Sequence, residues 1–95
     1  MVTYYDFRND TNNGKESADY WAAYCIASDC TIAGNWREVR LTTASFNILQ
    51  APLAEGGLFL GDYMGLTRSE STFYPAFVVV DGSKRTSVMV RQIQF

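Results

Sequence analysis

Thr72-Phe73-Tyr74-Pro75-Ala76-Phe77-Val78-Val79-Val80-Asp81-Gly82-Ser83-Lys84 is the stretch on which the fold turns. Thr72 to Val80 is almost continuously apolar and rich in aromatic and β-branched side chains, which suit a pleated, half-buried surface. Asp81-Gly82-Ser83-Lys84 reads as a hairpin turn around the favoured Asp-Gly pair. The run from Arg85 or Thr86 to Phe95 then supplies the partner strand. Pro75 has no N–H to give to a ladder, so a bulge or an unpaired position is expected there.

The rest of the chain keeps the same habit. No segment holds apolar residues at helical spacing for three turns; short alternating or apolar runs recur between polar, glycine-rich segments. Strands are expected over Val2 to Phe7, over Asp19 to Ala27, and over Arg37 to Thr42, where Val39 and Leu41 face one way and Glu38 and Arg40 the other. Residues 8–15, Arg-Asn-Asp-Thr-Asn-Asn-Gly-Lys, are a cluster of turn formers. Residues 43–56 read as an irregular loop with Phe46, Ile48, Leu49 and Leu53 as anchors. A further strand is expected around Leu58 to Met64, running on toward Arg68 past Gly61 and Gly65. The expected fold class is therefore all-β and antiparallel, with about six strands in two units, residues 1–42 and 57–95.

Composition excludes several function classes. The chain has 95 residues, 47% of them hydrophobic and 15% aromatic, with eight basic and ten acidic residues for a net charge of −2. Scattered basic residues at that balance give no footprint for nucleic acid. There is no histidine, which removes the commonest metal ligand and general base, so no Ser-His-Asp or Cys-His site fits within one chain. No metal or cofactor is expected. The apolar runs are too short to span a bilayer as helices, and the start lacks the pattern of a signal peptide. Either the chain is expressed as it stands or it is a piece of something longer. Cys25 and Cys30 lie five apart, which leaves open both a local disulfide and two free thiols.

Three segments resemble the late blades of sialidase-like, Asp-box-repeat β-propellers: Tyr4-Tyr5-Asp6-Phe7-Arg8-Asn9, Trp36-Arg37-Glu38-Val39-Arg40-Leu41-Thr42, and Phe59-Leu60-Gly61-Asp62-Tyr63-Met64-Gly65-Leu66. Their order and spacing match over nearly the whole chain, and the Gly-Asp-Tyr-x-Gly-Leu segment is the most specific part. The family's Asp-box is a Ser-x-Asp-x-Gly-x-x-Trp turn. Here Ser28, Asp29, Gly34 and Trp36 are present at altered spacing, and a Cys25–Cys30 bridge would brace the rebuilt turn. The resemblance implies the three outer strands of one blade followed by the three inner strands of the next. Repeat units of this kind bury their apolar faces against neighbours. Trp21, Tyr24, Phe59, Phe77, Val79 and Ile93 are more large apolar groups than two blades can cover. A homo-oligomer is therefore expected, a trimer giving six blades. The alternatives are an excised piece of a larger propeller and a small self-contained β-sandwich.

The resemblance also directs attention to chemistry. Sialidases use an arginine cluster, a tyrosine nucleophile with a glutamate, and an aspartate acid/base, an exception to the usual two-carboxylate scheme. Arg68, Tyr74, Arg91, Asp62 and Glu70 are of the right types, but none occupies a recognisable catalytic motif, so no catalytic residue is assigned. Asp62 and Tyr63 would lie on an inner strand beside the channel, where Tyr63 stacks on a sugar and Asp62 accepts its hydroxyls, with Arg68 nearby. The competing expectation is that Asp62 caps a bulge and Tyr63 packs. Trp36, Gly61, Gly65 and the two cysteines are expected to be structural. Asp6 and Arg8, two apart on one face, are expected to form an ion pair. Asn9, Asp10, Asn12, Asn13 and Asp19 are rich in oxygen but fail the EF-hand register, so a solvated turn is expected. Asn9-Asp10-Thr11 is a glycosylation sequon, meaningful in a secreted eukaryotic chain. Three functions remain: a non-enzymatic propeller-derived module, scaffolding or glycan-binding; an inactive fragment of a sialidase-like glycoside hydrolase; and a structural protein whose surface does nothing beyond assembly. The resemblance suggests an extracellular or periplasmic site of action.

Overall fold

A computed structural model describes residues 1–94, so the expected end of the last strand at Phe95 lies outside the described residues. The fold is all-β and antiparallel. Six strands have five or more residues: β1 (Val2–Asp6), β2 (Ser17–Cys25), β3 (Trp36–Arg40), β7 (Gly65–Ser69), β8 (Thr72–Gly82) and β9 (Arg85–Val90). Four two-residue strands complete the set: β4 (Phe46–Asn47), β5 (Leu53–Ala54), β6 (Gly57–Leu58) and β10 (Ile93–Gln94).

The first sheet runs β1-β2-β3, with β4 added at the other end of β2; the second centres on β8, flanked by β7 on one side and by β9 and β10 on the other. The two sheets pack face to face. Register explains which residues meet. Tyr5 lies opposite Tyr20, and Ala22 opposite Val39, so Tyr5, Tyr20, Ala22 and Val39 share one face. Tyr20 and Ala22 are fully buried there and join Leu41 and Phe77 in one core cluster. The Tyr20 and Phe77 rings stack at 4.4 Å, and the Tyr20 hydroxyl donates to Thr3 Oγ1 at 2.8 Å. A second cluster of Ala18, Phe46, Ala51 and Val80 closes the neighbouring end.

One side chain completes a ladder that no strand completes. β7 pairs with β8 only as far as Ala76, so Val78 would leave its backbone groups bare in the interior. The Tyr5 hydroxyl donates to the Val78 carbonyl at 2.6 Å and accepts the Val78 N–H at 3.1 Å. A buried unpaired backbone group costs about 1–3 kcal/mol, so Tyr5 removes a liability at the sheet–sheet contact. Burial pushes the Tyr5 phenol above its ordinary pKa, against the opposing effect of the Val78 backbone bond.

Pro75 occupies the position its chemistry demands. Between the last β9 pair, Ala76 with Val90, and the first β10 pair, Phe73 with Ile93, the ladder is interrupted opposite Pro75. There Arg91 N–H donates to the Pro75 carbonyl at 3.1 Å, a bond that needs no proline N–H.

Two expectations need correction. Leu58 to Met64 is not one strand: β6 ends at Leu58, pairing with Leu53–Ala54, and β7 begins at Gly65. Gly56, Gly57 and Gly61 have φ of +97°, +133° and +117°, a region that glycine alone enters cheaply. The chain therefore turns where an extended run was expected. In the β8–β9 hairpin the central pair is Ser83-Lys84, not Asp81-Gly82. Gly82 faces Arg85 across a bulge that displaces Asp81, and Lys84 takes φ +55°.

Surface is generous for this mass. The accessible area is 6169 Å² for 10.7 kDa, against about 5,500 Å² for a typical folded monomer. The radius of gyration is 14.8 Å, against about 12.4 Å for a compact chain of this length.

Candidate functional site

The Asp62-Tyr63 pair lies in an exposed loop between β6 and β7, not on an inner strand. Tyr63 is 90% exposed, so the expectation that it packs also fails. Gly61 has a positive φ, whereas a Cβ added at Gly65 would meet the Ala76 Cβ at 3.4 Å, an ordinary contact. Arg68 makes contacts within the β7–β8 turn. Its Nε donates to the Glu70 carbonyl, and its guanidinium lies 5.6 Å from the Phe73 ring. Glu70 takes φ +53° in that turn, so the Arg68 bond holds a backbone conformation that glutamate does not favour.

The loop between β2 and β3 is braced by a disulfide and side-chain hydrogen bonds. Cys25 and Cys30 form a disulfide with Cα atoms 5.7 Å apart. Asp29 Oδ1 accepts from Thr31 N–H and Oγ1 at 3.0 and 2.6 Å. The Trp36 indole donates to the Cys30 carbonyl at 2.9 Å, and Asn35 Nδ2 to the Asp29 carbonyl at 2.9 Å. Those two bonds to Thr31 hold the Asp29 carboxyl below its usual pKa. Thiol titration of the unfolded, unreduced protein should find no free sulfhydryl. The double variant Cys25→Ser, Cys30→Ser should lose about 2 kcal/mol, the value for so short a loop. Two reactive thiols in the unreduced protein would contradict the bridge.

The densest polar constellation lies on the outer face of the first sheet, and sequence reading found only one edge of it. Arg8 pairs with Asp6 at 2.7 Å, as expected, but also with Glu38 at 2.9 Å. Its guanidinium sits 4.1 Å above the Trp21 ring. The Trp21 Nε1–H is buried with no acceptor among the described residues. The Tyr4 hydroxyl donates to Glu38. A tyrosine against a glutamate beside an arginine has the residue types of a nucleophile and its base. The electrostatics run the other way. Burial, then Glu38, raises the Tyr4 pKa, while Arg8, then Tyr4, lowers that of Glu38. A phenol that is harder to ionise beside a weaker base is not an activated nucleophile.

Asp19 anchors the other edge of this face. It is fully buried, and each oxygen is occupied. Oδ1 accepts from Arg40 Nε and Nη2 at 2.9 and 2.7 Å and from Thr42 Oγ1 at 2.5 Å. Oδ2 accepts from Asn9 Nδ2 at 2.9 Å and Ser45 Oγ at 2.7 Å. Burial alone would raise its pKa; the bonds from Thr42, Asn9, Ser45 and Arg40 overcome that and hold the carboxyl below its ordinary value. Asp6 stands directly opposite Asp19 across the β1–β2 ladder, and each carboxylate has its own arginine.

The oxygen-rich segment is thereby accounted for. Asn9 serves Asp19, Asp10 Oδ1 accepts the Ser17 N–H at 3.1 Å, and Asn12 and Gly14 take the positive φ of a turn. No group of three or more His, Cys, Asp or Glu stands in a metal-holding arrangement among the described residues. Among the described residues no helix is long and apolar enough to cross a membrane.

The outer face of the second sheet is of another kind. Phe77 and Met89 point inward to the core, so their neighbours point out. Val78 lies opposite Val88 and Ala76 opposite Val90, and Val88 and Val90 are 73% and 59% exposed. β9 pairs with β8 alone, leaving its far edge open. Comparison with protein-family models, with curated proteins and with solved structures returns no match to this chain.

Proposed function

We propose that the chain is a non-enzymatic, propeller-derived module that works by associating with copies of itself. The observation that carries this reading is the apolar outer face at Ala76, Val78, Val88 and Val90, next to an open strand edge. An exposed edge of β-branched residues is a template for pairing with another chain unless charge or a bulge blunts it. The only charges on β9 are at its start, where Arg85 is engaged by Asp81 at 3.1 Å. The surface excess over a typical monomer supports the same reading. Closed rotational symmetry covers repeated faces economically, and three copies would give the six blades that the sialidase-like resemblance implies.

Light scattering across the micromolar range should report a mass well above 10.7 kDa. Val88→Lys should reduce it to the monomer while changing thermal stability little, within about 0.5 kcal/mol, because the position is exposed in the isolated chain. A wild-type monomer throughout that range would overturn the scaffold reading.

A second reading, glycan binding at the loop, has one specific support: the Tyr63 ring is almost wholly exposed in a glycine-rich loop. Flat exposed aromatic rings suit stacking on sugars. Tyr63→Ala should leave the oligomer intact and shift stability by no more than about 0.5 kcal/mol. Unchanged retention of wild type and variant on a glycan array would set this reading aside.

A further inference from the structure

Two depressions meet at Arg91, where the chain leaves β9. One, of about 190 Å³, is lined among others by Thr43, Ser45, Phe46, Val79 and Met89. The other runs along Val39, Gln92 and Ile93. Arg91 is half-buried between them. Its backbone is fixed by the bond to Pro75, and its Nε donates across the gap between the sheets to the Leu41 carbonyl at 2.8 Å. That tether leaves the terminal amino groups of the guanidinium without a protein acceptor among the described residues. None of the ion pairs formed among those residues includes Arg91. Asp19, the buried acid of this end of the sheet, is already filled by Arg40, Thr42, Ser45 and Asn9.

A half-buried guanidinium without a counter-ion favours an anion, and its planar fork fits a carboxylate better than a point charge would. Val79, Phe46 and Met89 make the adjoining wall apolar. We infer that this groove is a binding site for a small carboxylate with a compact apolar body. The oxygens would take the Arg91 fork while the body lies against Val79, Phe46 and Met89. The cavity has room for about six water molecules, which limits the ligand to a short branched or single-ring acid and leaves out an oligosaccharide. The site is independent of the self-associating face, which lies on the opposite side of the second sheet.

Amide and guanidinium NMR titration of the whole protein tests this, with sodium isovalerate and sodium phenylacetate as probes and isoamyl alcohol and sodium phosphate as controls at matched ionic strength. The expected result is saturable shifts at Thr43, Ala44, Ser45 and Met89 and at the Arg91 Nε–H. Affinity should weaken at least tenfold in Arg91→Gln and less in Arg91→Lys. Shifts that do not saturate, an equal response to phosphate or to the alcohol, or unchanged affinity in Arg91→Gln would overturn the site. Should Arg91→Gln fail to fold, the wild-type Arg91 Nε–H resonance decides alone: no movement on adding either acid rejects the proposal.

Discussion

Asp19→Ala is expected to destabilise the protein by about 3–5 kcal/mol, the usual cost of removing one partner of a buried ion pair. Five hydrogen bonds from four side chains end on this carboxylate. Its loss leaves the buried Thr42 hydroxyl and part of the Arg40 guanidinium without an acceptor. A small domain has only about 5–15 kcal/mol in total, so the variant should be largely unfolded at modest urea concentrations. Arg40 is 35% exposed at its side chain, so Arg40→Met should cost less than the loss of Asp19. An unfolding free energy from urea titration within about 1 kcal/mol of wild type would show that the network contributes little.

The same carboxylate sets an acid limit. Its folded pKa lies below the ordinary value, so its stabilisation is complete above the unfolded value of about 3.9 and disappears as pH falls through the folded one. Asp6, Asp29, Glu38 and Asp81 are shifted in the same direction, but Asp29, Glu38 and Asp81 are exposed and Asp6 is partly so, and solvent screening leaves them adding little. Stability should therefore be flat near neutral pH, where a chain without histidine has no side chain to titrate, and should fall below about pH 4. Asp19→Asn should flatten that acid limb.

Phe77→Ala is the second large effect, expected at about 3–5 kcal/mol, the cost of emptying a buried aromatic position. Phe77 is 1% exposed and is the stacking partner of Tyr20 across the two sheets. Its removal opens a cavity where the two sheets meet ring to ring. Tyr20→Phe keeps the ring and loses only the bond to Thr3, so about 1 kcal/mol is expected. Thermal and urea unfolding of the two variants would separate packing from hydrogen bonding. A Phe77→Ala loss no larger than that of Tyr20→Phe would contradict the stacked contact.

What was legible in the sequence follows from the range of the forces involved. β8 could be read because its apolar run is local, and the interruption at Pro75 because a missing N–H is a property of one residue; the exact turn could not, because the bulge at Asp81 moves its centre to Ser83-Lys84. The Arg8–Asp6 pair was legible for the same reason: two residues apart on a strand share a face. The Arg8–Glu38 pair was not, because only the β1-β2-β3 register brings Glu38 alongside. Asp19 was passed over as part of a solvated turn. Its one local signal is an aspartate between Ala18 and Tyr20, in a strand where aspartate is disfavoured; its partners at positions 9, 40, 42 and 45 meet only after the sheet forms. The Gly56–Gly65 segment misled because its apolar residues suggest a strand while three positive-φ glycines turn the chain. Asp62 and Tyr63 lost their expected inner position with that strand.

The two sheets close on each other face to face through the Tyr20–Phe77 contact. Nuclear Overhauser effects between the ring protons of these two residues test it most directly. With ring centres 4.4 Å apart, strong cross-peaks are expected, together with weaker ones between Tyr5 and Phe46, whose centres lie 6.2 Å apart. A folded protein with dispersed resonances, no Tyr20–Phe77 cross-peak and free flipping of both rings would show that the sheets do not pack in this way.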